Sequence, residues 1–309
     1  MPTIVSVASG KGGVGKSMVV SNLGLLLART GKRVILVDMD IGGANLHILF
    51  GMFHPPSTLT DFFTNSLNSL NEIAHPIAGP SSLRLISGTG ETLITANLHH
   101  AKKKRLIRHL QKLDADIILV DVGAGTSYHT LDFFLLADFF LTVATPDPTS
   151  VLDLYRFIKL AAIRKVLTAF LARDPVAEAL LDKNFHSVTE VLEAVGRTSE
   201  AGVEIARQAL EGFHPALIVN RITTKSRINT LHLQHLLKQY VGTDLSIVGN
   251  IPEDFHVQQS ILKYLPVVEL APTSPAALAF NPLAANIIEM MTQPRGSHGQ
   301  IEEPRKIRA

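Results

Sequence analysis

The sequence contains no cysteine and no tryptophan. Without thiolates it can form no disulfide, no cysteine-ligated zinc site and no iron–sulfur cluster. The same lack fits a reducing cytosol, and a cytoplasmic location is expected. Charge is modest: 18% of residues are charged and the net charge is +2, which excludes a highly charged disordered chain. That small basic excess permits contact with nucleic acid or anionic lipid but demands neither. No apolar run reaches the roughly 18 residues that span a bilayer. No basic segment leads into an apolar stretch at the N-terminus, as a secretion signal would require. Internal repeats and low-complexity linkers are missing as well. The thirteen histidines are scattered. His54 and the His99-His100 pair lack partners at metal-binding spacing, and no Ser-His-Asp set is recognisable.

Apolar residues are plentiful, at 46% of 309, enough for one large core or two modest ones. They fall in short runs separated by helical periodicity. Strands are expected over 3–8, 34–38, 83–87, 116–121, 139–144, 215–220 and 245–249. Helices are expected over 17–29, 98–113, 128–136, 149–171, 228–240 and 274–290. Near-continuous apolar strands alternating with helices imply an α/β fold, a mostly parallel sheet with helices on both faces. From about 173 to 212 the pattern is helical without a strand, with helix starts at Asp174-Pro175 and at Ser187, whose spacing to Glu190 suits a capping box. We expect one domain over 1–292 carrying this helical insertion, and a disordered polar tail over 293–309.

The most informative segment is Gly10-Lys11-Gly12-Gly13-Val14-Gly15-Lys16-Ser17, between the first strand and the first helix. It matches the phosphate-binding pattern G-x-x-x-x-G-K-[ST]. Glycines let backbone N–H groups approach phosphate oxygens without a Cβ in the way. The helix N-terminus adds the positive end of its dipole. In this pattern Lys16 reaches the β- and γ-phosphates of a nucleotide and the Ser17 hydroxyl ligates Mg²⁺. A second lysine, Lys11, lies inside the loop, where the ordinary pattern needs none.

With that extra lysine the loop resembles the deviant Walker A motif of the MinD/ParA ATPases. Three further segments carry the resemblance. Leu36-Val37-Asp38-Met39-Asp40 and the following Gly42-Gly43-Ala44-Asn45-Leu46 resemble the first switch segment of MinD and of the flagellar-number regulators FlhG and FleN. Ile117 to Asp121, followed by Gly123, resembles Walker B with the second switch. Thr145-Pro146-Asp147-Pro148-Thr149 with Asp153 resembles the strand end and helix start that follow it. The resemblance implies ATP and Mg²⁺ as cofactors and an ATP-dependent homodimer in which Lys11 contacts the partner's phosphates. It implies Asp40 as the group orienting the attacking water. It makes Ser17, Asp40 and Asp121 the metal-site residues, and sets an acidic side chain, Asp153, near the signature lysine. Asn220, Arg221 and Pro252 fall in segments that flank adenine in the family.

The implied activity is slow, partner-stimulated ATP hydrolysis in a spatial regulator of cell division, flagellar placement or partitioning. Two alternatives stand beside it: a ParA-like ATPase on nonspecific DNA, and an adaptor acting only through a protein partner. The insertion departs from the MinD/FlhG pattern, as does the lack of the FlhG N-terminal glutamine motif. Where MinD and FlhG end in an amphipathic membrane-targeting helix, the tail here is broken by Pro294 and Gly296, so stable membrane anchoring is not expected. Recruitment to a nucleoid or to a membrane-bound partner remains open at this level. Lys102-Lys103-Lys104-Arg105 with Arg108, and the weaker group Arg221, Lys225 and Arg227, read either as solvated faces or as DNA-contact patches.

Overall fold

A computed structural model describes residues 1–40, 43–64, 66–88, 100–170, 174–180, 183, 185–226 and 230–292. The chain runs β1 (Thr3–Ser9), α1 (Lys16–Arg29), β2 (Val34–Met39), a 3₁₀ turn (Leu46–Phe50), α2 (Leu59–Phe63), a second 3₁₀ turn (Leu70–Ile73), β3 (Ala74–Pro76) and β4 (Leu83–Ile86). It continues through α3 (His100–Leu110), β5 (Ile117–Ala124), α4 (Tyr128–Leu135), β6 (Phe139–Ala144) and α5 (Pro148–Thr168). Three helices follow: α6 (Pro175–Leu180), α7 (Val188–Thr198) and α8 (Glu200–Glu211). The last part comprises β7 (Pro215–Ile222), α9 (Thr230–Tyr240), β8 (Ser246–Pro252), α10 (Phe255–Leu262), α11 (Val267–Leu270) and α12 (Pro275–Thr292).

The strands form one sheet in the order β3-β4-β2-β5-β1-β6-β7-β8. Every pairing is parallel except β3 with β4. Central strands are buried on both faces because successive side chains alternate between two cores. In β2, Ile35, Val37 and Met39 enter one core, while Val34 and Leu36 enter the other. The first core lies under α2 to α9, and the second under α1, α11 and α12. Chain order reverses at β1, which sits between β5 and β6. In open α/β sheets ligands bind at such a point, beyond the C-terminal strand ends, and the glycine loop lies there.

The helical stretch before β7 is tied to the first core. Val176, Leu180, Val188, Val191, Val195 and Ala206 are buried in it, and so is Phe213, which follows α8. Phe213 meets Phe134 and Phe140 with ring centroids 6.4 and 5.2 Å apart, within the range of favourable aromatic pairs. Ser187 caps α7 by accepting from the Glu190 backbone N–H at 3.1 Å. The Glu190 carboxylate turns back to the N–H of His186, at 2.8 Å, rather than to that of Ser187. Residue 173 and the tail 293–309 lie outside the described residues. No helix among the described residues is long and apolar enough to cross a membrane.

Candidate functional site

The loop from Gly10 to Ser17 wraps the space over the C-terminal ends of β1 and β5. Gly15 has φ of 96°, a left-handed conformation that an L side chain rarely adopts, and it begins α1. A Cβ at Gly15 would also overlap the Asn220 side chain. At Gly10 a Cβ would overlap the carbonyl of Asp153 in α5, so the loop can lie against that helix only with glycine there. Over Gly12 and Gly13 a Cβ would meet nothing within 4 Å. That open side of the loop has room for phosphate oxygens. Gly10→Ala is therefore expected to displace the loop, destabilising the fold by about 1–3 kcal/mol and weakening nucleotide binding. Thermal melts and nucleotide titration check both effects.

The two loop lysines occupy opposite environments. Lys16 opens α1 with only 7% of its surface exposed and is attracted to Asp121. Lys11 is exposed, and its Nζ donates to Thr149 Oγ1 at 3.2 Å. The nearby Asp153 carboxylate pairs with Arg156 at 3.3 Å. The acidic neighbour expected for Lys11 thus lies on the same helix, but the bond that holds Lys11 goes to Thr149, one turn earlier.

Three aspartates face the loop. Asp38 and Asp121 are neighbours in register on β2 and β5, and each is 1% exposed. Asp38 accepts from the N–H groups of Asp40 and Leu46, both at 3.0 Å, and so shapes the turn after β2. Burial, and then the Asp121 charge, push the Asp38 carboxyl above the usual carboxylate range. Burial also raises Asp121, against the pull of Lys16 and a hydrogen bond from Ser17. Asp121 Oδ1 is buried with no hydrogen-bond partner among the described residues. Asp40 is half-buried, and its carboxylate lies against Gly123, where a Cβ would come within 3.0 Å of Oδ1.

These features fit a divalent cation of the Mg²⁺ type. The site holds excess negative charge, an unpartnered carboxylate oxygen and a neighbouring hydroxyl. No group of three or more His, Asp or Glu side chains forms a ready metal cage among the described residues. Mg²⁺ does not need one, because it keeps several waters and takes one or two protein ligands beside phosphates.

Behind the loop lies a cavity of about 350 Å³. Met18, Arg221, Pro252, Phe255 and Val257 line it, together with Asn220. Its size and mixed lining suit a planar base. Asn220 is buried, and its Nδ2 donates to the Val14 carbonyl at 2.8 Å. It therefore ties the loop to β7 as well as bordering the cavity. Arg221 has φ of 59° and lies 4.0 Å from Glu253.

The structure places Lys16 and Ser17 beside Asp121, sets Asp40 against Gly123, and gathers Gly15, Asn220, Arg221 and Pro252 around the cavity. Missed by sequence reasoning were Asp38, Thr149 and the Met18–Phe255 wall. The apolar run ending in Val37-Asp38-Met39-Asp40 signals a buried carboxylate, but nothing local signals the other two. Of the basic cluster on α3, Lys103 pairs with Asp132, and Arg105 stacks on Phe62 at 4.2 Å. Two of its five cations therefore face protein. Arg227, Gly42, His99 and the start of the expected helix at 98 lie outside the described residues.

A protein-family model described as "ParA: NUBPL iron-transfer P-loop NTPase" matches residues 1–171. The antiactivator FleN of Pseudomonas aeruginosa is 28% identical over 301 residues, 97% of this chain and 90% of FleN. The flagellum site-determining protein YlxH of Helicobacter pylori is 32% identical over 203 residues, 65% of this chain and 66% of YlxH. Among solved structures, the septum site-determining protein MinD of Pyrococcus horikoshii, complexed with Mg-ADP, superposes with a TM-score of 0.67. That likeness covers 94% of this chain and 98% of MinD at 22% identity, and it concerns the fold.

Proposed function

The chain belongs to the ParA/MinD family of P-loop NTPases, and we propose that it is an ATP-hydrolysing dimerisation switch acting as a spatial regulator of cell division or flagellar placement. The observation that carries this reading is the contrast between the two loop lysines. Lys16 is buried beside Asp121, while Lys11 is exposed and held by one hydrogen bond to Thr149. A buried lysine at a helix N-terminus serves the nucleotide of its own subunit. An exposed one, loosely held, is free to serve another.

In this proposal the Gly12–Ser17 amides and Lys16 hold the β- and γ-phosphates. The base enters the cavity beside Met18, Asn220 and Phe255, and the choice of ATP rests on family membership. Ser17 and Asp121 would hold Mg²⁺, with Asp40 beside them. Bound there, the metal supplies positive charge against the triphosphate. Asp40 orients a water for in-line attack on the γ-phosphorus. A new P–O bond forms, the bond to the β–γ bridging oxygen breaks, and ADP and phosphate leave. Lys16 and the partner copy's second lysine neutralise charge on the transferring group. Loss of phosphate frees the chain after Asp40 and after Asp121, and the dimer opens.

The flagellum site-determining protein YlxH, and the septum site-determining protein MinD of Helicobacter pylori, 26% identical over 271 residues, support a role in flagellar or septum placement. Iron transfer, which the family description mentions, has no thiolate ligands in these 309 residues. Lys11→Ala tests the switch. Each lysine–phosphate contact is worth about 1.5–3 kcal/mol and a symmetric dimer has two, so ATP-dependent dimerisation should weaken by about a hundredfold or more. Nucleotide affinity of the monomer should change little. Light scattering beside fluorescent-nucleotide titration checks this, and equal dimerisation of variant and wild type would remove the proposed role of Lys11.

A further inference from the structure

A second cavity, of about 390 Å³, opens on the other side of the glycine loop. One end is formed by Gly10 and by Thr126, just after β5. From there the groove follows α5 past Asp153, Arg156 and Lys159 to Leu160, and it ends at Phe185 and His186 before α7. The far wall is held in place: the His186 N–H is bonded to Glu190, and Phe185 packs against the first core. The near wall is a rigid helix of 21 residues.

The charge of this groove is unbalanced. Arg156, itself largely exposed, has one carboxylate partner among the described residues, the partly buried Asp153 three residues away. Lys159 has only the Tyr155 ring, 5.9 Å from its Nζ, and no carboxylate pairs with it among the described residues. An exposed i,i+3 pair is worth little and exchanges readily for a better carboxylate. Below these cations lies an apolar floor of Leu160 and Phe185, and Leu152, on the same exposed side of α5, is 48% exposed. Phosphates of a nucleic acid would find only two cations and no row of them at backbone spacing, and would gain nothing from the apolar side chains. A peptide with carboxylates flanking an apolar anchor matches both features.

We propose that this groove is the docking site for an acidic, amphipathic segment of a partner protein, with Arg156 and Lys159 pairing its carboxylates and Leu160 and Phe185 seating its apolar anchor. The inference deepens the switch reading and rests on it for one consequence. The groove shares Gly10 with the phosphate loop and Thr126 with the chain that follows Asp121. Nucleotide state and partner binding are then linked, and linkage is reciprocal.

The test uses a labelled peptide of about a dozen residues, Asp- and Glu-rich around a Leu-Phe pair, of the kind that fills such grooves. Controls replace its acids by Lys or its Leu-Phe pair by Ser. Fluorescence anisotropy is read at low salt against wild type and against Arg156→Glu/Lys159→Glu. Wild type should bind the acidic apolar peptide best, and charge reversal should cost about tenfold or more in affinity. Equal affinity for both proteins, or for all three peptides, overturns the proposal. So does binding of a short DNA duplex that charge reversal abolishes while the peptide fails to bind. Loss of ATP-dependent dimerisation on reversal, without peptide binding, also overturns it and assigns the face to a second copy. Nucleotide binding and light scattering on the same samples separate the two ideas. A peptide that binds through Arg156 and Lys159 equally with and without ATP supports the groove and contradicts its link to the switch.

Discussion

Lys16→Ala is expected to abolish nucleotide binding at concentrations that saturate the wild type. The side chain opens α1, is almost fully buried and lies close enough to Asp121 to oppose the rise in that carboxyl's pKa. Its ammonium group is the fixed positive charge at the bottom of the loop. Removing it deletes charge-assisted bonds to two phosphates, each worth about 1.5–3 kcal/mol, so affinity falls by at least about a hundredfold. Asp121 then loses its cation as well, and repulsion from Asp38 grows. Calorimetric titration with ATP·Mg²⁺ measures the effect, and a circular dichroism spectrum matching wild type shows that the fold survives. Binding within about threefold of wild type, a difference of under 1 kcal/mol, would remove Lys16 from the phosphate site.

Asp40→Ala is expected to do the opposite: to leave ATP bound and hold the dimer closed. Asp40 is half-buried against Gly123 and Gly43, and its backbone, not its carboxylate, receives the hydrogen bond from the Gly43 N–H. Truncation therefore removes the carboxylate with little damage to the turn, which Asp38 continues to hold through the N–H groups of residues 40 and 46. Water orientation by a side chain of this kind contributes about 10²–10⁴ in rate. Hydrolysis should fall by about that factor while light scattering in ATP reports twice the monomer mass. An Asp40→Ala protein that stays monomeric in ATP defeats the mechanism, because the switch would then not depend on slow hydrolysis.

Much of this was legible in the sequence, for identifiable reasons. The central strands β1, β2, β5, β6 and β7 are buried on both faces over most of their length, so their apolar runs stand out without any partner information. The short antiparallel strand Ala74–Pro76 at the sheet edge did not, being three residues long and ending in proline. Helix α10 was missed because, apart from Val257, its apolar residues are largely exposed. Phe255, Ile261 and Leu262 are 66%, 44% and 72% exposed, so no buried stripe marks it. What holds it is Asp254, which caps it through the His256 N–H and also accepts from Ala276.

The chemistry of the loop was readable because its glycines, lysines and serine are contiguous. The contacts that set its shape are not local. Lys11 meets Thr149 across 138 residues, and Asn220 meets Val14 across 206. Asn220 shows the consequence. Its type and position suggested a base contact, and it does border the cavity, yet the structure gives it the further task of holding the loop.

The most direct test of the account is a crystal structure of the protein grown with a non-hydrolysable ATP analogue and Mg²⁺. The expected result is a twofold dimer with the triphosphate over Gly12–Ser17. In it Lys11 has left Thr149 for the analogue bound to the other copy. An analogue-bound dimer in which Lys11 still points to Thr149, or a glycine loop without phosphate, would contradict it.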